Sequence, residues 1–303
     1  MHVLLLLTPL LLSADMLTPG DDVRTIAVES ISRQYLVHVP PKYDGKSDWP
    51  LVLIFHGGAS NAEQMVRFSG LSEKADEAGF LAVYPSGSGR LGKLLTWNGG
   101  NCCGYAMTQK IDDVAFVRAI LDDLAKVGRI DKKRIYATGM SNGAIMSYRL
   151  AAELSERIAA IAPVSGPMGT ESCSPQRPVP VIHFHGTKDE FAPYGGGKGP
   201  KSLSGTNFFS VDHSVKVWIK ANGCPGGPAK VEELPDKAKD GTSAVIKTYG
   251  PGRDGAEVVL VTILGQGHTW PGRDTLLASL GATTKNVSAN DLMWEFFQKH
   301  PLK

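Results

Sequence analysis

The sequence predicts an α/β fold in which a mostly parallel central sheet carries helices on both faces. Three observations point to it. Short runs such as Leu51-Val52-Leu53-Ile54-Phe55 are apolar throughout, as in strands covered on both sides. Longer segments with apolar residues at helical spacing separate these runs, and such alternation favours parallel strands joined by crossover helices. With 303 residues, 42% of them hydrophobic, the chain can build one full core.

The elements follow in order. Val3 to Leu12 is a nearly unbroken apolar run, too short to span a bilayer as a helix. It reads as the core of a signal peptide over residues 1–14, with cleavage near Ala14. The expectation is a secreted protein, extracellular or periplasmic, with residues 15–303 as a single catalytic domain. Arg24 to Pro40 alternates apolar and polar residues, which predicts an antiparallel opening with one solvated face. Pro50 to Phe55 is a buried strand that ends in His56-Gly57-Gly58. Leu71 to Ala78 is read as a helix, and Phe80 to Tyr84 as the next buried strand. Ile111 to Val127 sets Val114, Val117, Ile120, Leu121 and Leu124 on one helical stripe.

Arg134 to Thr138 is a short strand, and Asn142 to Leu154 a helix. Ile158 to Val164 and Val179 to Phe184 are further buried strands, and Val211 to Ala221 is a helix. Ala244 to Tyr249 and Glu257 to Leu264 are read as paired strands. Ser288 to Lys299 closes the chain as an amphipathic helix. Gly195 to Gly205, rich in Gly, Lys and Ser, is expected to be a mobile surface loop and, if it lies near the site, a lid.

Charge narrows the function. Lys and Arg total 32 against 30 Asp and Glu, a net charge of +2, which gives no electrostatic basis for binding nucleic acid or a membrane surface. No segment after the first apolar run can cross a membrane, and a monomer is expected. The four cysteines, Cys102, Cys103, Cys173 and Cys224, suit two disulfides in an exported chain. Pairing of Cys102 and Cys103 with Cys173 and Cys224 is the more comfortable arrangement, since adjacent cysteines can bond to each other only in a strained ring. No Cys-x-x-Cys pair or adjoining His cluster suggests a metal.

Gly139-Met140-Ser141-Asn142-Gly143 carries the chemistry. It lies between a strand and a helix, the context of a nucleophile elbow. The serine sits at the tip of a sharp turn, and side chains two residues to either side would collide with strand and helix. Gly139 and Gly143 remove those side chains. A serine hydroxyl is a weak nucleophile and needs a base. The expected chain order is Ser, then acid, then His. Asp189, after the Val179 to Phe184 strand, is the acid, with Glu190 its rival by position. His268, in the loop after the last strand, is the base. His183 and His185 read as satisfied core groups, and His213 lies on a helix with no reason to reach the site. The backbone N–H groups of Gly58 and Asn142 are expected to form the oxyanion hole. His56 is expected to brace that loop. Trp97 and Trp270 are candidates to stack on a substrate acyl group or sugar.

These motifs resemble the secreted esterases that include feruloyl and acetylxylan esterases and polyhydroxybutyrate depolymerase-like proteins. The matching segments are His56-Gly57-Gly58, Trp97-Asn98 with Cys102-Cys103-Gly104, Asp112-Asp113-Val114-Ala115-Phe116, and Arg134 to Gly143. His185-Gly186-Thr187-Lys188-Asp189, Asn222-Gly223-Cys224 and Gly267-His268-Thr269-Trp270-Pro271-Gly272 continue the match. The resemblance implies an α/β-hydrolase fold, no cofactor, and Ser141, Asp189 and His268 as the triad. The expected reaction is hydrolysis of carboxylic esters through an acyl-enzyme. Feruloyl or acetyl groups on plant polysaccharide are the first expected substrate, and polyhydroxyalkanoate or its oligomers the second. A peptidase shares the acyl-transfer chemistry. A non-catalytic binding protein of this fold would be expected to lack a triad member or an oxyanion glycine.

Overall fold

The computed structural model describes residues 16–28, 31–275 and 277–303. The signal-peptide expectation for residues 1–14 lies outside them.

The apolar runs become the middle of a 10-stranded sheet. In chain order the strands are β1 (Gly20–Val28), β2 (Ile31–Val39), β3 (Trp49–Phe55), β4 (Leu81–Pro85) and β5 (Ile130–Met140). They continue with β6 (Ala160–Val164), β7 (Val181–Gly186), β8 (Lys230–Leu234), β9 (Ser243–Tyr249) and β10 (Val258–Leu264). Their order across the sheet is β1-β2-β4-β3-β5-β6-β7-β10-β9-β8. From β4 to β10 all neighbours run parallel, whereas β1, β2, β9 and β8 join antiparallel. The stretch read as one alternating opening is a hairpin of two strands.

Strand alternation sends side chains to two separate cores. Leu51, Leu53 and Phe55 of β3 enter one, and Val52 and Ile54 the other. Helices α4 (Asp113–Val127), α5 (Asn142–Glu153) and α6 (Val211–Asn222) cover the first face. Helices α1 (Ala62–Ser69), α2 (Leu71–Ala78) and α7 (Ala289–Lys299) cover the second. A short helix α3 (Gly104–Thr108) precedes α4.

Local signals set the helix starts. Asp112, Ser210 and Ser288 accept hydrogen bonds from the amides of Ala115, His213 and Asp291 at the first turns of α4, α6 and α7. Helix α1 was not anticipated, yet Asn61 caps it by accepting from the Gln64 amide at 3.0 Å. Strand β8 was missed because its residues are mostly exposed and charged. No helix among the described residues is long and apolar enough to cross a membrane.

Cys102 is bonded to its neighbour Cys103, and Cys173 and Cys224 are free. The expected cross-pairing is therefore not formed. Cys102 and Cys103 are buried against Ile145, Ala192 and Phe208, while Cys173 and Cys224 pack at the edge of the first core.

Candidate active site

The carboxyl ends of β5, β7 and β10 lie along one edge of the parallel sheet, and each delivers one candidate residue. At the end of β5, Ser141 adopts φ 56° directly before α5. That left-handed backbone is the mark of the elbow. The crowding that requires glycines on either side is present. A methyl group at Gly139 would lie 2.6 Å from the Gly143 carbonyl oxygen, and one at Gly143 would collide with the carbonyls of Phe55 and His56. The Ser141 amide donates to Val164 O on β6 at 2.9 Å, tying the elbow to the neighbouring strand.

Asp189 follows β7 and is 4% exposed. Its Oδ1 accepts from the amides of Phe191 and Ala192 at 2.9 and 2.8 Å. Its Oδ2 accepts from His268 Nδ1 at 2.7 Å. Burial is the largest single influence and opposes the charge on Asp189. The charge and hydrogen bond of His268, His185 and the Ala192 amide together outweigh it and hold the carboxyl below its usual range. Glu190, its rival by position, turns outward and pairs with Lys201 at 2.5 Å, whereas His268 pairs with Asp189.

His268 follows β10, and its amide donates to Leu280 O at 2.7 Å. With Nδ1–H given to Asp189, its Nε2 is the nitrogen left to act on a nucleophile. The ring of Phe191 stacks on it, with centroids 5.0 Å apart. Phe191 was not singled out from sequence. Its place two residues after Asp189 was the available signal.

The loop after β3 approaches the elbow closely. Methyl groups placed on Gly57 and Gly58 would lie 3.6 Å from Ser141 Cβ and 3.7 Å from Asn142 Cβ. His56 braces this loop from below. The Gly87 amide donates to its Nε2 at 3.0 Å, so Nδ1 carries the proton and donates to Gly57 O at 2.7 Å. Burial pushes this imidazole down to about 4, which keeps it neutral. The Asn142 side chain has a task that was not foreseen. It accepts from Trp97 N at 2.7 Å and donates to Trp97 O at 3.0 Å, clamping the start of α5 to the 97–104 loop. Asp113 holds the same loop, accepting from Asn98 N at 2.8 Å and from Arg33 at 2.9 Å.

The two tryptophans differ from the stacking role expected of them. Trp97 is 0% exposed, and its indole donates to His56 O at 3.0 Å. Trp270 is 1% exposed and donates to Asn290 at 2.8 Å. Both indoles are enclosed by protein, so neither presents a face to a substrate. The Gly195 to Gly205 segment is fastened beside Asp189. Gly197 pairs with Phe208 through two backbone hydrogen bonds, and Lys201 N donates to Glu190 O at 3.0 Å.

The chain has counterparts among known proteins. Residues 33–193 match the family described as esterase PHB depolymerase. A protein of Nocardia uniformis subsp. tsuyamanensis named "Putative esterase NocK" is 31% identical over 289 residues, covering 90% of this chain and 81% of that one. Feruloyl esterase B of Piromyces equi is 32% identical over 244 residues, covering 78% of this chain. The aligned part is 42% of that relative's own length. An acetyl xylan esterase from Aspergillus awamori shares the fold at a TM-score of 0.57 and 15% identity, over 82% of this chain and 94% of that one.

Proposed function

This chain belongs to the esterase PHB depolymerase family and is a carboxylic ester hydrolase, and from that premise we propose that it works through a Ser141-His268-Asp189 triad on feruloyl or acetyl esters of plant polysaccharide. The observation that carries the reading is the 2.7 Å contact of His268 with a buried Asp189, at the same sheet edge as a serine held at φ 56°.

His268 Nε2 takes the Ser141 proton as Oγ attacks the ester carbonyl. Asp189 holds the imidazole tautomer and stabilises the imidazolium. The tetrahedral oxyanion is received by the amides of Gly58 and Asn142, each such donor being worth roughly 3 kcal/mol in the transition state. The collapsing intermediate gives its alcohol the proton from His268, and water, activated by the same base, releases the acyl group from Ser141.

The wider reading is a secreted, monomeric enzyme with residues 15–303 as one catalytic domain. The family description also supports a second substrate class, polyhydroxyalkanoate oligomers. Labelling of the purified protein by a fluorophosphonate probe tests the nucleophile. The expected result is labelling of the wild type and none of Ser141→Ala; equal labelling of both removes Ser141 from the mechanism. Relative kcat/KM for methyl ferulate, p-nitrophenyl acetate, p-nitrophenyl butyrate and a hydroxybutyrate oligomer then ranks the substrate classes. Preference for the oligomer displaces the polysaccharide-ester reading.

A further inference from the structure

Strand β7 carries two histidines that the acyl-transfer steps do not use. Alternation along the strand puts His183 and His185 on the face covered by α5 and α6, and both are 0% exposed. Their hydrogen bonds have one direction. His185 Nε2 lies 2.8 Å from Ala192 O, which can only accept, so Nε2 bears the proton. In the neutral ring Nδ1 is then an acceptor. It takes Nε2–H of His183 at 3.1 Å, and His183 Nδ1 accepts the Tyr148 hydroxyl at 2.8 Å. Burial holds both imidazoles below their ordinary range, consistent with this neutral assignment.

The relay ends at the acid. His185 Nε2 is 3.5 Å from Asp189 Oδ2, the oxygen that also accepts from His268. Ala192 closes the loop, since its amide holds Asp189 Oδ1 and its carbonyl holds His185. The other titratable groups near the relay are Tyr194, edge-on to His185 with its hydroxyl on Thr262, and Cys173 near Tyr148.

We propose that His185, its tautomer fixed by Ala192 O and its N–H dipole reinforced through His183 and Tyr148, is a positioning residue for Asp189: it anchors the Ala192 turn that holds the carboxylate and offsets part of the negative charge that Oδ2 presents to His268. The inference rests on the reading of Asp189 and His268 as acid and base. Its sign follows from electrostatics. Without the positive end of the His185 N–H dipole, Oδ2 is more negative, the His268 imidazolium is better stabilised, and the base titrates at higher pH.

The test is the pH profile of kcat/KM on p-nitrophenyl acetate, whose acid limb reports the free base. In His185→Leu, kcat falls about tenfold as the carboxylate drifts, with a smaller change in KM, and the acid limb moves to higher pH. His185→Gln restores most of both effects, because its carboxamide N–H can donate to Ala192 O. Tyr148→Phe keeps the packing and moves the limb the same way by less. Unchanged kcat and acid limb in folded His185→Leu and Tyr148→Phe overturn the proposal, as does a glutamine variant no better than leucine. If His185→Leu does not fold by circular dichroism, an unmoved limb in Tyr148→Phe is decisive against it. Ser141→Ala separates the two failures. Retained activity there sinks the triad reading itself, whereas its loss with unmoved limbs sinks only the role of His185.

Discussion

The centre of the sheet and its margins handle polar groups in opposite ways. At the carboxyl ends of β3, β5, β6 and β7, charged and imidazole side chains are buried and held from several sides. Asp113, Asp189, His56, His183 and His185 are all less than 5% exposed. Positive φ at Ala59, Ser141 and Ser165 falls in the same region. At the outer margin, in β8, charges stand in water. Lys230 and Glu232 pair at 2.8 Å with side chains 64% and 45% exposed. Burial makes a polar group costly unless every partner is in place, so a region that keeps many such groups is one where their geometry is being used. The margins finish the sheet and carry no comparable demand.

Substitutions should separate the two regions sharply. The largest effect is expected from Ser141→Ala, which should lower kcat about 10⁶-fold with little change in melting temperature. Steady-state kinetics beside a thermal melt checks both halves of that expectation. Asp189→Asn should follow at about 10⁴-fold, because a carboxamide stabilises the wrong imidazole tautomer. A loss below tenfold in the same assay would place the acid elsewhere.

Asp113→Ala tests the support of the centre. It leaves Arg33 buried at 6% exposure without its partner, and it frees the Asn98 amide. The expected cost is about 3–5 kcal/mol in urea unfolding. It should also weaken activity, since the loop it holds clamps Asn142. A fully stable and active variant would uncouple this ion pair from the site.

The acid–base behaviour of the two regions should differ in sign. His56, at the centre, sits at about 4 in the folded state against an ordinary 6.5. Its contribution is complete above pH 6.5 and is lost as pH falls toward 4, by about 3 kcal/mol in all. His38, at the margin between Asp76 and Asp21, is raised. Burial opposes its charge, but the two carboxylates together prevail. Its contribution is complete below the ordinary value and fades as pH rises through the folded one. Melting temperature across pH 4 to 9 should therefore fall on the acid side in the wild type. His38→Gln should flatten only the alkaline side, and a change confined to the acid side would reverse the assignment. The smallest effect belongs to Lys230→Ala, within about 0.5 kcal/mol, since exposed pairs contribute little.

How much of this was legible in the sequence follows the same division. The buried strands could be read because a parallel strand covered on both faces must be apolar along its length, as at Leu51 to Phe55. The elbow could be read because Gly139 and Gly143 are demanded by backbone crowding within a few residues of Ser141. Asp189 and His268 could be placed by chain order, each directly after a strand. By contrast, β8 escaped because a marginal strand exposes both its faces. The hairpin of β1 and β2 read as a single stretch because both strands alternate in the same way.

By itself, then, the sequence determined what depends on local periodicity and local crowding: the fold class, the sharp turn at Ser141, and the strand ends that carry Asp189 and His268. Tertiary structure alone decided which groups face one another. It enclosed Trp97 and Trp270 within the core, put Phe191 on His268, and aligned Tyr148, His183 and His185 into a chain ending at Asp189. Those outcomes depend on contacts between residues tens of positions apart, such as Tyr148 and His183. Such contacts come from the packing of helices on both faces of the sheet and of loops at its carboxyl edge, and no spacing along the chain encodes them.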